Sequence, residues 1–174
     1  MEGFLNPSQI LSQLGLSSNV IAADFGSGSG GWAIPLAKIL KDGKVFAIDI
    51  LKEPLSVLGS RAKSEKILNI KAVCSNVETE KGSKLGENAL DLVLMTNLLF
   101  QLDNKRIVFA ESKRILKKEG KILVVDWLPQ SPLGPEKGRV LPEEVKKIAK
   151  EIGFSVEKEF NASSHHYGIV FVKI

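Results

Sequence analysis

The chain has 174 residues, 44% hydrophobic and 25% charged, with a net charge of +4. That is the balance of one ordinary globular domain with a sizeable core, and the scattered lysines permit nucleic acid as a partner without indicating it. A single cysteine, Cys74, excludes an intrachain disulfide, and no Cys/His set has zinc spacing.

Strand and helix patterns alternate along the chain. Pro7 to Leu14 reads as a short helix stopped at Gly15, and Val20 to Asp24 as the first strand. Trp32 to Leu40 is helical, with Pro35 in its first turn, where a missing N–H does little harm. Lys44 to Asp49 is a strand, Glu53 to Lys66 a helix with Leu55, Leu58 and Ala62 inward, and Ile70 to Ser75 a strand. Ala89 to Met95 is almost wholly apolar, as suits a strand covered on both faces.

Asn104 to Lys118 is an amphipathic helix with Val108, Phe109, Ile115 and Leu116 inward, capped by Gly120. Lys121 to Trp127 is the fifth strand. Leu128 to Leu141, with Pro129, Pro132 and Pro135, reads as an ordered loop. Pro142 to Ile152 is a helix with Val145, Ile148, Ala149 and Ile152 inward, closed by Gly153. Ser155 to Phe160 and Tyr167 to Ile174 form a last pair of strands. Five strand–helix units predict a parallel sheet with helices on both faces. The link from Asn161 to His166 is too short for a parallel crossover, so one of the last two strands runs antiparallel.

The most informative segment is Ala23-Asp24-Phe25-Gly26-Ser27-Gly28-Ser29-Gly30-Gly31, which joins the first strand to the next helix. Such a turn brings a polar cofactor against bare backbone at a helix N-terminus. Gly26, Gly28 and Gly31 fit a dinucleotide fingerprint. Gly26, Gly28 and Gly30, with Asp24 ahead, fit the loop that binds S-adenosylmethionine in methyltransferases. Asp49, at the end of the second strand, can accept from both ribose hydroxyls in either class. Asp24 discriminates. A carboxylate there repels a pyrophosphate but attracts a ligand bearing a sulfonium and an ammonium.

On these segments, together with "GKVFAIDI", "ALDLVLMTNLLFQL", "RILKKEGKILVVDW" and "EIGFSVEKEFNASSHHYGIVFVK", the sequence resembles the class I S-adenosylmethionine-dependent methyltransferases nearly end to end. It looks nearest to the ubiquinone/menaquinone C-methyltransferase branch. The resemblance implies a Rossmann-like three-layer α/β sandwich whose mostly parallel seven-stranded sheet has the order 3-2-1-4-5-7-6 and an antiparallel last strand. It also implies that Gly26, Ser27, Gly28 and Gly30 pass under the methionine and ribose, and that Asp24 sits near the cofactor ammonium. Asp49 then holds the ribose and Ile50 packs on the adenine. Asn76 and Val77 contact the adenine edge, and Thr96 and Asn97 lie near the transferring methyl.

The short N-terminal segment leaves Phe4 to Leu14 and the Pro-rich loop, or another chain, to act as a lid. Asp126, His165, His166 and Tyr167 are candidate bases, with Asp126 and His166 foremost. Asp126 can equally cap a neighbouring loop, and both histidines fall in the turn before the last strand. Lys117, Lys118 and Lys121 read as a solvated face far from the site. The expected acceptor is a small molecule or lipid-like compound, with RNA or protein as alternatives, a non-catalytic S-adenosylmethionine-binding module as a further one, and a nicotinamide-dependent oxidoreductase as the last. No metal is implied. The chain is expected to be cytoplasmic, without a membrane span, and a monomer or homodimer.

Overall fold

In a computed structural model, which describes residues 4–174, seven strands form one sheet in the order β3-β2-β1-β4-β5-β7-β6. The strands are β1 (Ile21–Phe25), β2 (Lys44–Asp49), β3 (Ile70–Cys74), β4 (Leu90–Thr96), β5 (Leu116–Trp127), β6 (Phe154–Asn161) and β7 (His166–Lys173). β1 to β5 pair in parallel, while β7 is antiparallel to both β5 and β6. The helices are α1 (Pro7–Ser12), α2 (Ala33–Ile39), α3 (Lys52–Ser64), α4 (Lys105–Ile115) and α5 (Pro142–Ile152). The sheet order and the antiparallel end are those expected from the sequence.

Side-chain alternation splits the core in two. Ala22, Leu92, Leu94, Leu123 and Val125 face one side, against Leu11 of α1 and Ala33 and Leu36 of α2. Ala23, Val93, Met95, Ile122 and Val124 face the other, against Val108 and Phe109 of α4 and Val145 of α5. Phe109 is the hub of the second side, meeting Phe154 and Phe171 edge-on with ring centroids 6.5 and 6.0 Å apart. β4 is buried along nearly its whole length, which explains its apolar run.

Local signals fix the helix ends. Asn6 Oδ1 accepts from Gln9 N–H at 3.1 Å to start α1, and Pro142 opens α5 at a position where no N–H is needed. α5 stops at Gly153, whose φ of 111° is left-handed and whose N–H donates to the carbonyls of Ala149 and Lys150.

Two expectations need correction. α4 ends at Ile115 rather than Lys118, and Gly120 does not cap it. Leu116 already pairs with Leu90 in the sheet, and the register shifts before Leu92. The extra residues form a bulge in which Glu119 takes a φ of 62°. A Cβ on Gly120 would lie 2.9 Å from the Lys117 carbonyl oxygen, so glycine serves that bulge. His166 is not a turn residue either. It opens β7, opposite Trp127 of β5, and is buried. No helix among the described residues is long and apolar enough to cross a membrane.

Candidate active site

The glycine loop leaves β1 at the carboxyl edge of the sheet, where neighbouring connections run in opposite directions and a crevice opens. Gly26 and Ser27 donate N–H groups to the Ile48 carbonyl at 2.8 and 3.0 Å, which ties the loop to the end of β2. Gly26, Gly28 and Gly30 all have positive φ, at 71°, 53° and 92°. Their surroundings differ. A Cβ on Gly26 would meet Leu98 at 2.8 Å, and one on Gly30 would meet Ile34 and Leu58 at 3.0 and 3.1 Å. A Cβ on Gly28 would meet nothing within 4 Å. Gly26 and Gly30 therefore serve packing, while Gly28 borders open space into which a ligand fits.

That space is a cleft of about 390 Å³ lined by Gly26, Gly28, Asp49, Ile50, Leu51, Asn76, Val77, Leu98 and Leu102, among others. Asp49 Oδ2 accepts from Gly28 N–H and Oδ1 from Leu51 N–H, both at 2.9 Å. The two bonds aim the carboxylate along the cleft wall, and each oxygen retains a lone pair for a hydroxyl. Ile50 and Leu51 are more than half exposed, an unusual state for large apolar residues that a flat apolar ligand would relieve. Asn76 Oδ1 accepts from Glu78 N–H at 2.9 Å, which sets the turn that carries Val77 along the opposite wall.

Two residues ahead of Gly26, Asp24 is fully buried, and neither carboxylate oxygen has a hydrogen-bond partner. Burial pushes its pKa up to about 8, the charge of Asp49 adds to this, and the nearby Ala33 N–H, which makes no well-formed hydrogen bond to it, offsets only part. Ser27 Oγ and Asn97 Oδ1 are also buried and unpartnered. Buried polar groups in a folded protein are normally paired. This cluster of acceptors, one of them a carboxylate, suits a cationic ligand with N–H donors. The residues present thus fit S-adenosylmethionine: Asp24 for its ammonium, Gly28 and Asp49 for its ribose, and the Ile50–Asn76–Val77 walls for its adenine.

Beyond Asp24, alternation puts Thr96 of β4, Trp127 of β5 and His166 of β7 on the same face of the sheet. The Trp127 and His166 rings lie 4.1 Å apart between centroids. His166 Nδ1 is 2.9 Å from Ser163 Oγ, and its buried Nε2 has no partner. Burial, with a smaller contribution from His165, lowers its pKa to about 4. Asn97 follows Thr96 with a φ of 49°, held by its N–H to the Val125 carbonyl at 2.8 Å.

The remaining candidate bases stand apart from this row. Asp126 points to the opposite face, where it accepts from Leu99 N–H at 2.9 Å and Trp127 N–H at 2.8 Å. Burial raises its pKa to about 6, while those N–H groups pull it down. It thereby fixes the 3-10 turn Leu99–Gln101 after β4. Tyr167 donates to the Val140 carbonyl at 3.1 Å, and burial pushes its hydroxyl pKa up. His165 Nδ1 is 3.0 Å from Ser131 Oγ in the loop after β5.

Sequence reasoning missed two organisers. Arg139 donates to the carbonyls of Leu128, Pro129, Ser131, Leu133 and Pro135, and so gathers the loop over 128–141 around one guanidinium. The loop folds over Trp127, where a Cβ on Gly134 would lie 2.5 Å from the indole. A lone arginine among prolines and glycines was the available signal. Glu111 is a buried carboxylate of α4 that accepts from Ser83 N–H and Oγ and pairs with Arg114 at 2.7 Å. Burial pushes its pKa up, but Arg114 and Ser83 outweigh that and hold it below the usual value. It anchors the segment that follows Asn76 and Val77. Its place one turn after Val108, on the apolar stripe, could have marked it.

The family model described as "Methyltransferase domain" matches residues 23–124. No curated protein matches. Among solved structures, a SAM-dependent methyltransferase from Aquifex aeolicus superposes with a TM-score of 0.87 at 23% identity, covering 98% of this chain and 90% of that one. A protein described as a type 11 methyltransferase from Sulfolobus solfataricus is 27% identical, with a TM-score of 0.73 over 95% of this chain and 89% of its own. The [4+2]-cyclase SpnF shares the fold at 13% identity and a TM-score of 0.81, over 95% of this chain and 79% of its own, so the fold alone does not dictate the reaction. The family match spans the glycine loop, Asp49 and β4, which supply the cleft and its carboxylates, and the chain belongs to the methyltransferase domain family that uses S-adenosylmethionine.

Proposed function

We propose that this protein transfers the methyl group of S-adenosylmethionine to a small acceptor bound along the Thr96–Trp127–His166 row. The observation that carries this reading is the buried, unpartnered Asp24 carboxylate two residues ahead of Gly26, which lines the cleft. When bound, the donor supplies a methyl already activated by a sulfonium charge. The chain's own contribution is alignment and exclusion of water. Asp49 orients the ribose end, Asp24 fixes the ammonium, and Asp126 acts at one remove by holding the Leu99–Gln101 turn. The loop over 128–141 packs on Trp127 at Gly134 and covers that part of the row, and its exposed Leu133 and Leu141 add apolar surface nearby.

A nucleic-acid acceptor gains nothing from the basic residues singled out in the sequence. Lys117 and Lys121 sit at the amino end of β5, away from the cleft, paired with Asp91 and Glu157 at 2.8 Å. Asp49→Ala removes the ribose acceptor and the link to Gly28. We expect it to abolish binding of S-adenosylhomocysteine in calorimetry. Unchanged affinity contradicts the ribose assignment. Transfer of labelled methyl from S-adenosylmethionine in a fractionated extract then identifies the acceptor pool: label in small molecules supports the proposal, and label confined to RNA or protein sinks it.

A further inference from the structure

Among the described residues, none of the other candidate bases is placed on the acceptor row to remove a proton. Asp126 lies on the opposite face with both oxygens engaged by backbone N–H groups. Tyr167 spends its proton on the Val140 carbonyl, and His165 is turned to Ser131. Asp24 shares the right face but belongs to the donor's ammonium in the reading above. That leaves His166, whose two nitrogens are distinguishable. Ser163 Oγ already accepts from the His165 N–H at 3.1 Å. If the Ser163 hydroxyl donates to His166 Nδ1, one polar proton, that on Nε2, is left unpaired. If Nδ1–H donates instead, both the serine proton and the Nε2 lone pair lack partners. Pairing therefore favours the Nε2–H form. A neutral imidazole in that form gives a hydrogen bond and takes no proton, and its low pKa agrees with a site that keeps it uncharged.

We infer that His166 Nε2–H binds an oxygen of the acceptor, and that the acceptor is a small molecule with an acidic hydroxyl, an enol or phenol already ionised when it binds. This inference rests on the proposed methyl transfer. The acceptor oxygen forms the bond to the methyl carbon while the donor's carbon–sulfur bond breaks, with its electron pair staying on sulfur. The acceptor's proton has already gone to solvent, so no base is required.

The test uses the full chain, S-adenosylmethionine and a series of ring-substituted phenols whose hydroxyl pKa values run from below to above neutral. S-Adenosylhomocysteine formation is the readout. The expected result is turnover whose midpoint in pH moves with each phenol's own pKa, and a KM for the phenol raised tenfold or more in His166→Leu but largely rescued in His166→Gln, with donor affinity unchanged. One midpoint common to all phenols reveals an enzyme base and overturns the inference. Turnover of amines or thiols alone overturns it but leaves the proposed function standing, whereas turnover of RNA alone overturns both. If no acceptor turns over, the acceptor class is wrong, and failure to bind S-adenosylhomocysteine at all overturns the proposed function as well. Nitrogen-15 NMR of labelled histidine reads the tautomer independently, and a proton on Nδ1 refutes the donor role.

Discussion

Asp24 carries opposite consequences for the fold and for the ligand. With no cation beside it, its carboxyl titrates at about 8 against an ordinary value of 3.8. The folded chain therefore keeps a proton that the unfolded chain loses, and this group's contribution to stability is full below pH ~4 and is lost as pH rises to ~8. Asp24→Asn removes that dependence. Thermal melts of both proteins across this range should show the wild-type midpoint declining relative to the variant, and parallel curves refute the assignment. An ammonium next to Asp24 stabilises the ionised form, so ligand binding near neutral pH should release a proton. Calorimetry of S-adenosylhomocysteine in two buffers of different ionisation enthalpy measures it. Binding should tighten as pH rises toward 8, and Asp24→Asn should bind roughly tenfold or more weakly, the loss of one charge-assisted contact. Asp24 and Asp49 stood out in the sequence because one stands just ahead of the glycine loop and the other ends the next strand. The two faces occupied by Asp126 and Trp127 were implied by strand alternation, but the partners of Asp126 were not. One is its neighbour Trp127, and the other, Leu99, lies in a turn 27 residues away in sequence.

At the scale of elements, repetition and punctuation made most of the chain readable. α5 runs from Pro142 to Ile152 as expected, because proline and glycine mark both ends. The α4–β5 junction was misread because Leu116 to Gly120 continues the helical charge pattern, while a tertiary pairing, Leu116 with Leu90, claims it for the sheet. The loop over 128–141 was recognised as ordered, but its organiser was not, since one guanidinium serving five carbonyls leaves no periodic trace. Arg139→Gln keeps a donor yet loses the charge and the fork. We expect a loss of about 1–3 kcal/mol, or several degrees of melting temperature. Limited proteolysis should then cut within 128–141 well before the wild type is cleaved. Affinity for S-adenosylhomocysteine should change less than about twofold, since the loop lies on the acceptor side. Equal cleavage rates would show that the prolines alone hold the loop.

Across the whole molecule, the cleft spans the point where the strand order reverses. Its walls come from the connections after β1, β2, β3 and β4, so a ligand there bridges segments from both halves of the sheet. Unfolding either half then destroys the site, and ligand binding stabilises the cooperative unit. At a hundred times its dissociation constant, S-adenosylhomocysteine should add about 2.7 kcal/mol. For a chain of this length that corresponds to roughly 5–11 °C in melting temperature. NADH at the same concentration places a pyrophosphate against the Asp49 carboxylate, with no lysine or arginine among the residues lining the cleft, and brings no ammonium to ionise Asp24. Its expected shift is under about 1 °C, as like charges in a cleft of low polarity repel strongly. Asp49→Ala should show no shift with either ligand. The four melts together separate the cofactor from the fold: a shift with NADH alone identifies a dinucleotide site on a methyltransferase scaffold, while a shift with S-adenosylhomocysteine that survives Asp49→Ala moves the ligand out of this cleft altogether.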